Sequence, residues 1–237
     1  MECYKAGEIL ILPVEGGTGS IENILREYKQ LTIKYSFEDI ISYYELRPEK
    51  RFASYPFIAG VPEGKELEYA EKIRNNKKYI KASIPNFLIK PSSESIKINR
   101  TYIDKKIKAL DCLPSSSSCG GNVRVAIIDT GVNGSELPHS SNLHPNQYST
   151  DKPERNTKPI DLYGHGTAVA YIINSIAPAA TLYSIKMMDD MGNIGGLILA
   201  LYLAEINFMP DIYNLSLSIT CNTICEYCFK KNDNVIN

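Results

Sequence analysis

The sequence predicts an α/β protein: a doubly wound parallel sheet preceded by a smaller α+β domain. Three observations support this prediction. Strands alternate with helices through residues 122–237, which is typical of a parallel sheet with helices on both faces. The first of these strands, 123–128, is nearly all apolar and β-branched, as in a strand buried on both faces. A serine-rich tract at 115–118 separates this region from an N-terminal part with its own strands and helices.

The N-terminal part, residues 1–91, is predicted to form one domain with the order β-α-(β)-β-α-β, the split pattern of a ferredoxin-like sandwich. Its predicted strands are 8–12, 57–61 and 79–90, and its predicted helices begin near Ser20 and at Lys65. Acidic residues at the start of the second helix and basic residues at its end agree with the helix dipole. The segment 31–51 has no clear pattern.

Residues 92–121 are predicted to be a connector, because their serines and the pair Gly120-Gly121 leave no apolar period. A short helix is predicted inside this connector, from about 104 to 110. The α/β region 122–237 follows. Its predicted strands are 123–128, 181–187 and 211–218, and its predicted helices are 166–176 and 196–207.

The composition excludes several classes of function. The 237 residues carry a net charge of −1, which gives no attraction to nucleic acid or to an anionic membrane surface. No apolar stretch is long enough to span a bilayer, and residues 1–12 are too polar and too short for a secretory signal. We therefore expect no nucleic-acid partner and no membrane span. The protein is either cytoplasmic or has a leader outside this sequence.

The six cysteines permit disulfides, although no secretion signal supports them. Cys221, Cys225 and Cys228 have a spacing that could bind zinc. They offer only three ligands, and no histidine follows at the spacing of a zinc finger. A local disulfide or free thiols are favoured there, and we assign no metal site.

Two residues are candidates for chemistry. Asp129 ends the first strand of the α/β region, and active sites gather at the carboxyl ends of such strands. His165 stands between two glycines at a predicted helix start, which presents its ring at the helix N-terminus. Taken singly, Asp129 could merely cap a turn and His165 could be a surface histidine, as expected for His139 and His144 in the polar loop 133–159.

Taken together, these segments resemble the subtilase family, the subtilisin-like serine proteases of peptidase family S8. Asp129-Thr130-Gly131 matches the aspartate motif of the family, and the Gly-His-Gly-Thr sequence at 164–167 matches its histidine motif. Residues 176–186 resemble the connection that follows the histidine, and 212–218 resemble the strand that lines the substrate cleft. The resemblance covers about 122–218 and implies a sheet of subtilisin type that is incomplete in this sequence.

The resemblance implies the roles of these residues. His165 would take the proton of a serine hydroxyl and return it to the leaving amine, and Asp129 would orient the imidazole. A peptide substrate would be held as an added β-strand between two walls. Ser216, Leu217 and Ser218 would form one wall, with Ser218 replacing the usual glycine of the family. The glycine-rich segment 192–196, with Gly195 and Gly196, would form the other.

The resemblance places the nucleophilic serine and the oxyanion-hole asparagine well beyond the cleft strand, and the sequence ends at Asn237 without either. The serines at 115–118, Ser216 and Ser218 are poor substitutes, so no nucleophile is nominated. We expect residues 1–237 alone to be inactive. Residues 1–91 resemble a subtilase propeptide at 60–64 and 82–86. This implies a folding chaperone and an inhibitor in cis whose C-terminal tail occupies the cleft. An unrelated α+β domain is the alternative.

Two other functions compete with this interpretation. The sequence around Asp129-Thr130-Gly131 also resembles a retroviral-type aspartic protease, in which two aspartates activate water. The α/β alternation and the histidine motif argue against it. The chain could instead be a pseudoprotease or regulatory fragment that binds a peptide without cutting it. Serine protease chemistry requires no cofactor. The resemblance is compatible with structural calcium and with a secreted or cell-envelope location.

Overall fold

The computed structural model describes residues 3–14, 18–44, 55–92, 99–110, 114, 116–150 and 160–219. Their secondary structure divides into an N-terminal α+β domain and an α/β part. The elements of the N-terminal domain are β1 (Tyr4–Pro13), α1 (Thr18–Glu27), β2 (Thr32–Ser36), α2 (Phe37–Tyr43), β3 (Phe57–Gly60), α3 (Glu66–Arg74) and β4 (Ile80–Pro91).

The N-terminal strands form an antiparallel sheet in the order β4-β1-β3-β2. Successive side chains of a strand point to opposite faces, so alternate residues have different surroundings. In β1, Ile9 and Ile11 pack into a buried cluster with Ile24 of α1 and Ile73 of α3. Leu10, between them, packs into a second cluster that belongs mainly to the α/β part. The sheet is therefore covered by α1 and α3 on one face, and by α2 and the α/β part on the other.

The α/β part contains a parallel sheet. Its elements are α4 (Arg100–Ala109), β5 (Arg124–Asp129), β6 (Tyr148–Ser149), α5 (His165–Ile176), β7 (Thr181–Lys186), β8 (Gly192–Asn193), α6 (Ile194–Asn207), β9 (Ile212–Asn214) and β10 (Leu217–Ile219). The parallel order is β6-β7-β5-β9.

Helices cover both faces of this parallel sheet. Val125 and Ile127 of β5 pack with Ala170 and Tyr171 of α5. The alternate residues of β5, Ala126 and Ile128, pack with the buried side of α6. The apolar run at the start of the α/β region is thus explained by burial on both faces.

The sequence predicted one strand at 211–218, and this prediction was wrong. The structure has two strands in different sheets. β9 pairs with β5, whereas β10 leaves the parallel sheet and pairs antiparallel with β4 of the N-terminal domain. Alternation of side chains cannot reveal a change of partner between two consecutive strands.

A helix lies inside the predicted connector. α4 begins at Arg100, where the Asn99 side chain accepts a hydrogen bond from the backbone N–H of Tyr102 at 3.0 Å. It is therefore longer than the predicted helix at 104–110. Ile103, which packs against the cluster of Ala170 and Tyr171, and a 3.0 Å hydrogen bond from Tyr171 Oη to Asp104 Oδ1 attach it to α5.

Two sequence predictions concern features outside the helices and strands. Cys3 is disulfide-bonded. Cys112 lies outside the described residues, as do Cys221, Cys225 and Cys228, for which a local disulfide or free thiols are predicted. Within the described ranges, no helix combines the length and the apolar character needed to cross a membrane.

Candidate active site

Asp129 and His165 lie side by side at the end of the parallel sheet. His165 Nδ1 is 2.7 Å from Asp129 Oδ1, and both side chains are almost fully buried. Asp129 Oδ1 also accepts a 2.8 Å hydrogen bond from the backbone N–H of Thr130. A carboxylate at this distance fixes the imidazole with its proton on Nδ1 and leaves Nε2 as the proton acceptor. The catalytic roles of both residues remain predictions.

Glycine explains how the histidine helix comes so close to the aspartate turn. Gly164 precedes α5 with a φ of 89°, which a residue with a side chain adopts only with strain. A Cβ at Gly166 would lie 2.2 Å from the carbonyl oxygen of Gly131 and 3.1 Å from Cβ of Asp129. The two motifs can therefore meet for two reasons. Gly166 has no Cβ to collide with the aspartate turn, and Gly164 can adopt the positive φ that precedes α5.

Asp161 joins the two motifs, and the sequence analysis did not identify it. Its Oδ1 accepts hydrogen bonds from Thr130 Oγ1 at 2.8 Å, Tyr163 N at 3.1 Å and Gly164 N at 2.7 Å. Its Oδ2 accepts from the backbone N–H and the hydroxyl of Thr167, at 2.8 and 2.5 Å. Thr130 Oγ1 in turn accepts from Gly166 N at 2.9 Å. One carboxylate thus connects the aspartate turn, the loop before α5 and the first turn of α5. A carboxylate shortly before a helix start is a capping signal that the sequence contained.

Strand β4 lies between the two predicted walls of the cleft. On one side it pairs antiparallel with β10, with Leu217 opposite Pro91 and Ser218 opposite Lys90. On the other side it pairs antiparallel with β8, with Asn193 opposite Leu88 and Gly192 opposite Ile89. The C-terminal half of β4 therefore has the position in which an extended peptide would be bound as an added strand.

The chain leaves β4 beside the histidine. The backbone N–H of Ser92 donates a 3.0 Å hydrogen bond to the carbonyl oxygen of Ser216. The hydroxyl of Ser92 is 3.3 Å from His165 Nε2. The nitrogen that would accept a proton in a serine protease is thus in contact with a residue of the chain itself.

The remaining predicted cleft residues have different surroundings. Gly195 N donates a 2.9 Å hydrogen bond to Asn86 Oδ1 of β4, and a Cβ there would lie 2.7 Å from Ile58 Cδ1. Gly196 N bonds the Asn193 side chain, which caps α6, so Gly196 acts within its own helix. Of the two other histidines, His139 is exposed, whereas the His144 ring is half-buried and packs against the ring of Tyr183 at a tilt.

Asn86 connects the two parts of the molecule. It is fully buried; its Oδ1 accepts from Gly195 N, and its Nδ2 donates to Glu8 Oε2 at 2.9 Å. Lys5 lies 3.1 Å from the other oxygen of Glu8. A polar side chain buried between two domains with its hydrogen bonds satisfied fixes their relative position.

We expect Asn86→Leu to weaken the attachment of the N-terminal domain. The substitution leaves Gly195 N and the buried Glu8 carboxylate without this partner, at a cost of about 2 kcal/mol. Urea denaturation measures the loss, and hydrogen exchange at Gly195 locates it. Asn76→Leu is the control, because Asn76 bonds Glu27 on the exposed surface. Equal stability of the two variants would show that the Asn86 contacts contribute nothing.

No metal centre is evident at this site. Throughout the ranges that the structure describes, no three His, Cys, Asp or Glu side chains are grouped so that they could hold a metal ion.

Residues 120–235 match the sequence model of the subtilase family, Peptidase_S8. The minor extracellular protease Epr of Bacillus subtilis (strain 168) is 32% identical over 115 residues, which cover 44% of this chain and 17% of Epr. Fervidolysin from Fervidobacterium pennivorans, a keratinolytic enzyme related to subtilisin, superposes with a TM-score of 0.54 at 16% identity.

The fold match covers 91% of this chain and 36% of the fervidolysin chain. It therefore takes in the N-terminal domain as well as the α/β part, and at this identity it shows the fold alone. The chain spans much less than half the length of either protein that it resembles.

Proposed function

We propose that this chain, of which residues 120–235 match the sequence model of the subtilase family, supplies the aspartate and histidine of an Asp-His-Ser triad in a subtilisin-like serine endopeptidase. The observation that carries this proposal is the buried pair of His165 Nδ1 and Asp129 Oδ1, 2.7 Å apart beside a cleft that holds an extended strand. Polypeptides are the proposed substrates, and by resemblance the enzyme acts outside the cell or in its envelope.

The chemistry follows from the two nitrogens of one ring. His165 Nε2 accepts the proton of the serine hydroxyl as that oxygen attacks the substrate carbonyl, and later returns it to the leaving amine. The imidazole becomes positively charged in between, and the buried Asp129 carboxylate stabilises that charge and holds the ring in place. The serine and the oxyanion-hole donor come from outside residues 1–237. No cofactor takes part, and a structural calcium ion remains part of the proposal by resemblance.

Residues 1–91 act in this proposal as a ferredoxin-like, propeptide-like domain that inhibits the site in cis. Two observations support this role. The pairs of strands that a helix connects, β1 with β2 and β3 with β4, are each separated by one strand, as in the split βαβ pattern. The C-terminal half of β4 also fills the cleft up to His165, so no other peptide can enter while it stays there. Residues 92–121 connect this domain to the catalytic part and include α4.

A second candidate function is peptide binding without cleavage. The observation that favours it is that the C-terminal half of β4 is paired with a strand on each side. Binding of an extended peptide in this way requires no nucleophile. The retroviral-type aspartic protease has no such support, because the Asp129 carboxylate is paired with a histidine and not with a second carboxylate.

A proteolysis assay distinguishes these functions. We expect purified residues 1–237 to hydrolyse neither casein nor a fluorogenic peptide, because the attacking oxygen is missing. A form of the protein that includes the triad serine should cleave both. In that form, His165→Ala should lower kcat by about four to six orders of magnitude, since the members of a triad act as a unit.

Two outcomes would contradict the proposal. A serine-bearing form that binds peptides but never cuts them would identify a pseudoprotease. Cleavage by residues 1–237 that His165→Ala abolishes would mean that the nucleophile lies within this sequence, and Ser216 and Ser218 would then be the first residues to substitute.

A further inference from the structure

We propose that Lys186 is a positioning residue of this site, whose buried ammonium group holds the loop before α5 where His165 can pair with Asp129. Lys186 is the last residue of β7, and its Nζ donates a 2.8 Å hydrogen bond to the carbonyl oxygen of Ile160. The assignment adds a residue to the site of the proposed function, and its effect on catalysis rests on that function.

Lys186 is buried although it is charged. Only 8% of the residue is exposed, whereas lysine is almost never buried unless its charge is paired. An apolar side chain of similar length would fill the same space without the cost of removing an ammonium group from water. The Nζ also donates to Asp189 Oδ1, but the Asp189 side chain is half-exposed. The charge is therefore retained at a cost to stability, which indicates that one of its contacts serves the site.

The register of the parallel sheet places Lys186 on the same face as the catalytic pair. Lys186 in β7 lies opposite Asp129 in β5. Four residues earlier in each strand, Leu182 lies opposite Val125, and both pack into the cluster on the α5 side of the sheet. Side chains alternate between the two faces of a strand, so residues four apart point to the same face. The Lys186 side chain therefore extends toward α5 and the loop before it.

The backbone of Lys186 gives this side chain a fixed base. Its carbonyl oxygen accepts a 2.9 Å hydrogen bond from the N–H of Thr150, which follows β6. The next residue, Met187, donates from its N–H to the carbonyl oxygen of Asp129 at 2.8 Å. The base of the lysine is thus bonded to the residue whose carboxylate holds His165. A loop attached to Nζ is therefore positioned relative to Asp129 itself.

The two aliphatic side chains of the loop do not anchor it. Ile160 is 64% exposed and Leu162 is 80% exposed, so little apolar surface is buried there. Polar contacts hold the loop instead. The Asp161 carboxylate bonds both catalytic motifs, and Lys186 Nζ holds the carbonyl group immediately before Asp161.

A shift of this loop would move His165. Only Gly164, with its φ of 89°, separates the loop from His165 at the start of α5. His165 Nδ1 is 2.7 Å from Asp129 Oδ1, and a hydrogen bond weakens steeply when its distance or angle departs from such values. Lys186 therefore acts on the pair through the loop, without contact with the reacting atoms.

Lys186→Met tests the assignment on residues 1–237, because methionine keeps the length of the side chain and removes the charge and the donor. A short Nδ1–H···carboxylate bond of histidine gives a low-field proton NMR signal, and we expect this signal to be lost. The midpoint of urea denaturation should stay unchanged or rise, since an apolar side chain in place of a buried ion is often neutral or stabilising. A lysine with a merely structural role would give a lower midpoint and an intact signal.

Asp189→Ala is the matched control, because it removes the other partner of the ammonium group and leaves the bond to Ile160. It should lower the urea midpoint, since the buried charge loses its counterion, and it should leave the low-field signal unchanged. An unchanged signal in Lys186→Met would overturn the assignment, and so would a signal that Asp189→Ala removes as well.

Kinetics in a serine-bearing form give a second readout. We expect Lys186→Met to lower kcat by about 10- to 100-fold, the cost of a small misplacement of a catalytic group. KM should stay nearly unchanged, because β8 and β10 form the walls of the cleft. An unchanged kcat would overturn the assignment and leave the proposed function standing. A serine-bearing form that cuts no peptide would refute the proposed function, and the NMR result would then decide alone whether Lys186 positions the pair.

Discussion

Gly166→Ala is expected to separate His165 from Asp129. The new Cβ would lie 2.2 Å from the carbonyl oxygen of Gly131, and a backbone oxygen cannot move aside as a flexible side chain can. The first turn of α5 must therefore shift away from the aspartate turn. Crowding of this kind costs about 3 kcal/mol. The hydrogen bond between His165 Nδ1 and Asp129 Oδ1, now 2.7 Å, would lengthen or break.

The effect of Gly166→Ala is measured by urea denaturation and by proton NMR, in which a short Nδ1–H···carboxylate bond gives a low-field signal. We expect this signal to disappear. Gly196→Ala is the matched control, because it also lies in the first turn of a helix but its Cβ would meet nothing closer than 3.4 Å. Alanine is the better helix former by about 1 kcal/mol, so the control should be neutral or stabilising. Equal destabilisation of both variants would refute the steric explanation.

Asp161→Ala is expected to disturb the pair of His165 and Asp129 indirectly, through the residues next to them in the chain. The substitution removes the acceptor of five hydrogen bonds that join Thr130, the loop before α5 and Thr167. Hydrogen bonds to a charged group are stronger than those between neutral groups. This carboxylate is half-buried, however, so water can replace some of the lost hydrogen bonds. We expect a loss of about 2–4 kcal/mol in the free energy of unfolding, which is large for a single residue.

Two further variants separate a positioning role of Asp161 from a general loss of charge. Asp161→Asn keeps the shape and one acceptor oxygen, so it should retain part of the stability and a weakened low-field signal. Glu68→Ala removes an exposed carboxylate that pairs with Lys65, and surface pairs contribute little to stability. If Asp161→Ala left the histidine signal intact, Asp161 would stabilise the loop without positioning His165.

The sequence predicted well those elements whose pattern is local. Helices α5 and α6 are rich in apolar residues over several turns, and their ends lie within two residues of the predicted 166–176 and 196–207. Strand β5 is recognisable because burial on both faces makes it apolar throughout. Asp129 and His165 could be paired from sequence because glycine-containing motifs surround each of them.

What the sequence did not predict depends on partners far away in the chain. β8 has only two residues and is a strand because β4 lies beside it. Asp161 caps the nearby start of α5, but its hydrogen bond from Thr130 Oγ1 arises only when two distant motifs meet. Ser92 has no local signature, and its contact with His165 follows from the register of the whole strand before it. The sequence shows the order of residues along a strand. Which residue lies opposite a given partner, the register, is set by tertiary contacts.

The sharing of β4 between two sheets has a consequence for the speed of folding. β8 and β10 are short, and each pairs with β4 although a long stretch of chain separates them in sequence. Gly195 and its hydrogen-bond partner Asn86, for example, are 109 residues apart. Contacts of such high sequence separation pay their loop-closure entropy before they contribute stability, and this slows folding. If the N-terminal sheet forms first, β4 is already extended and in register when the later strands arrive. If the N-terminal sheet were removed, an unfolded α/β part would have to refold without this template. The lifetime of the folded α/β part would then depend on slow unfolding more than on easy refolding.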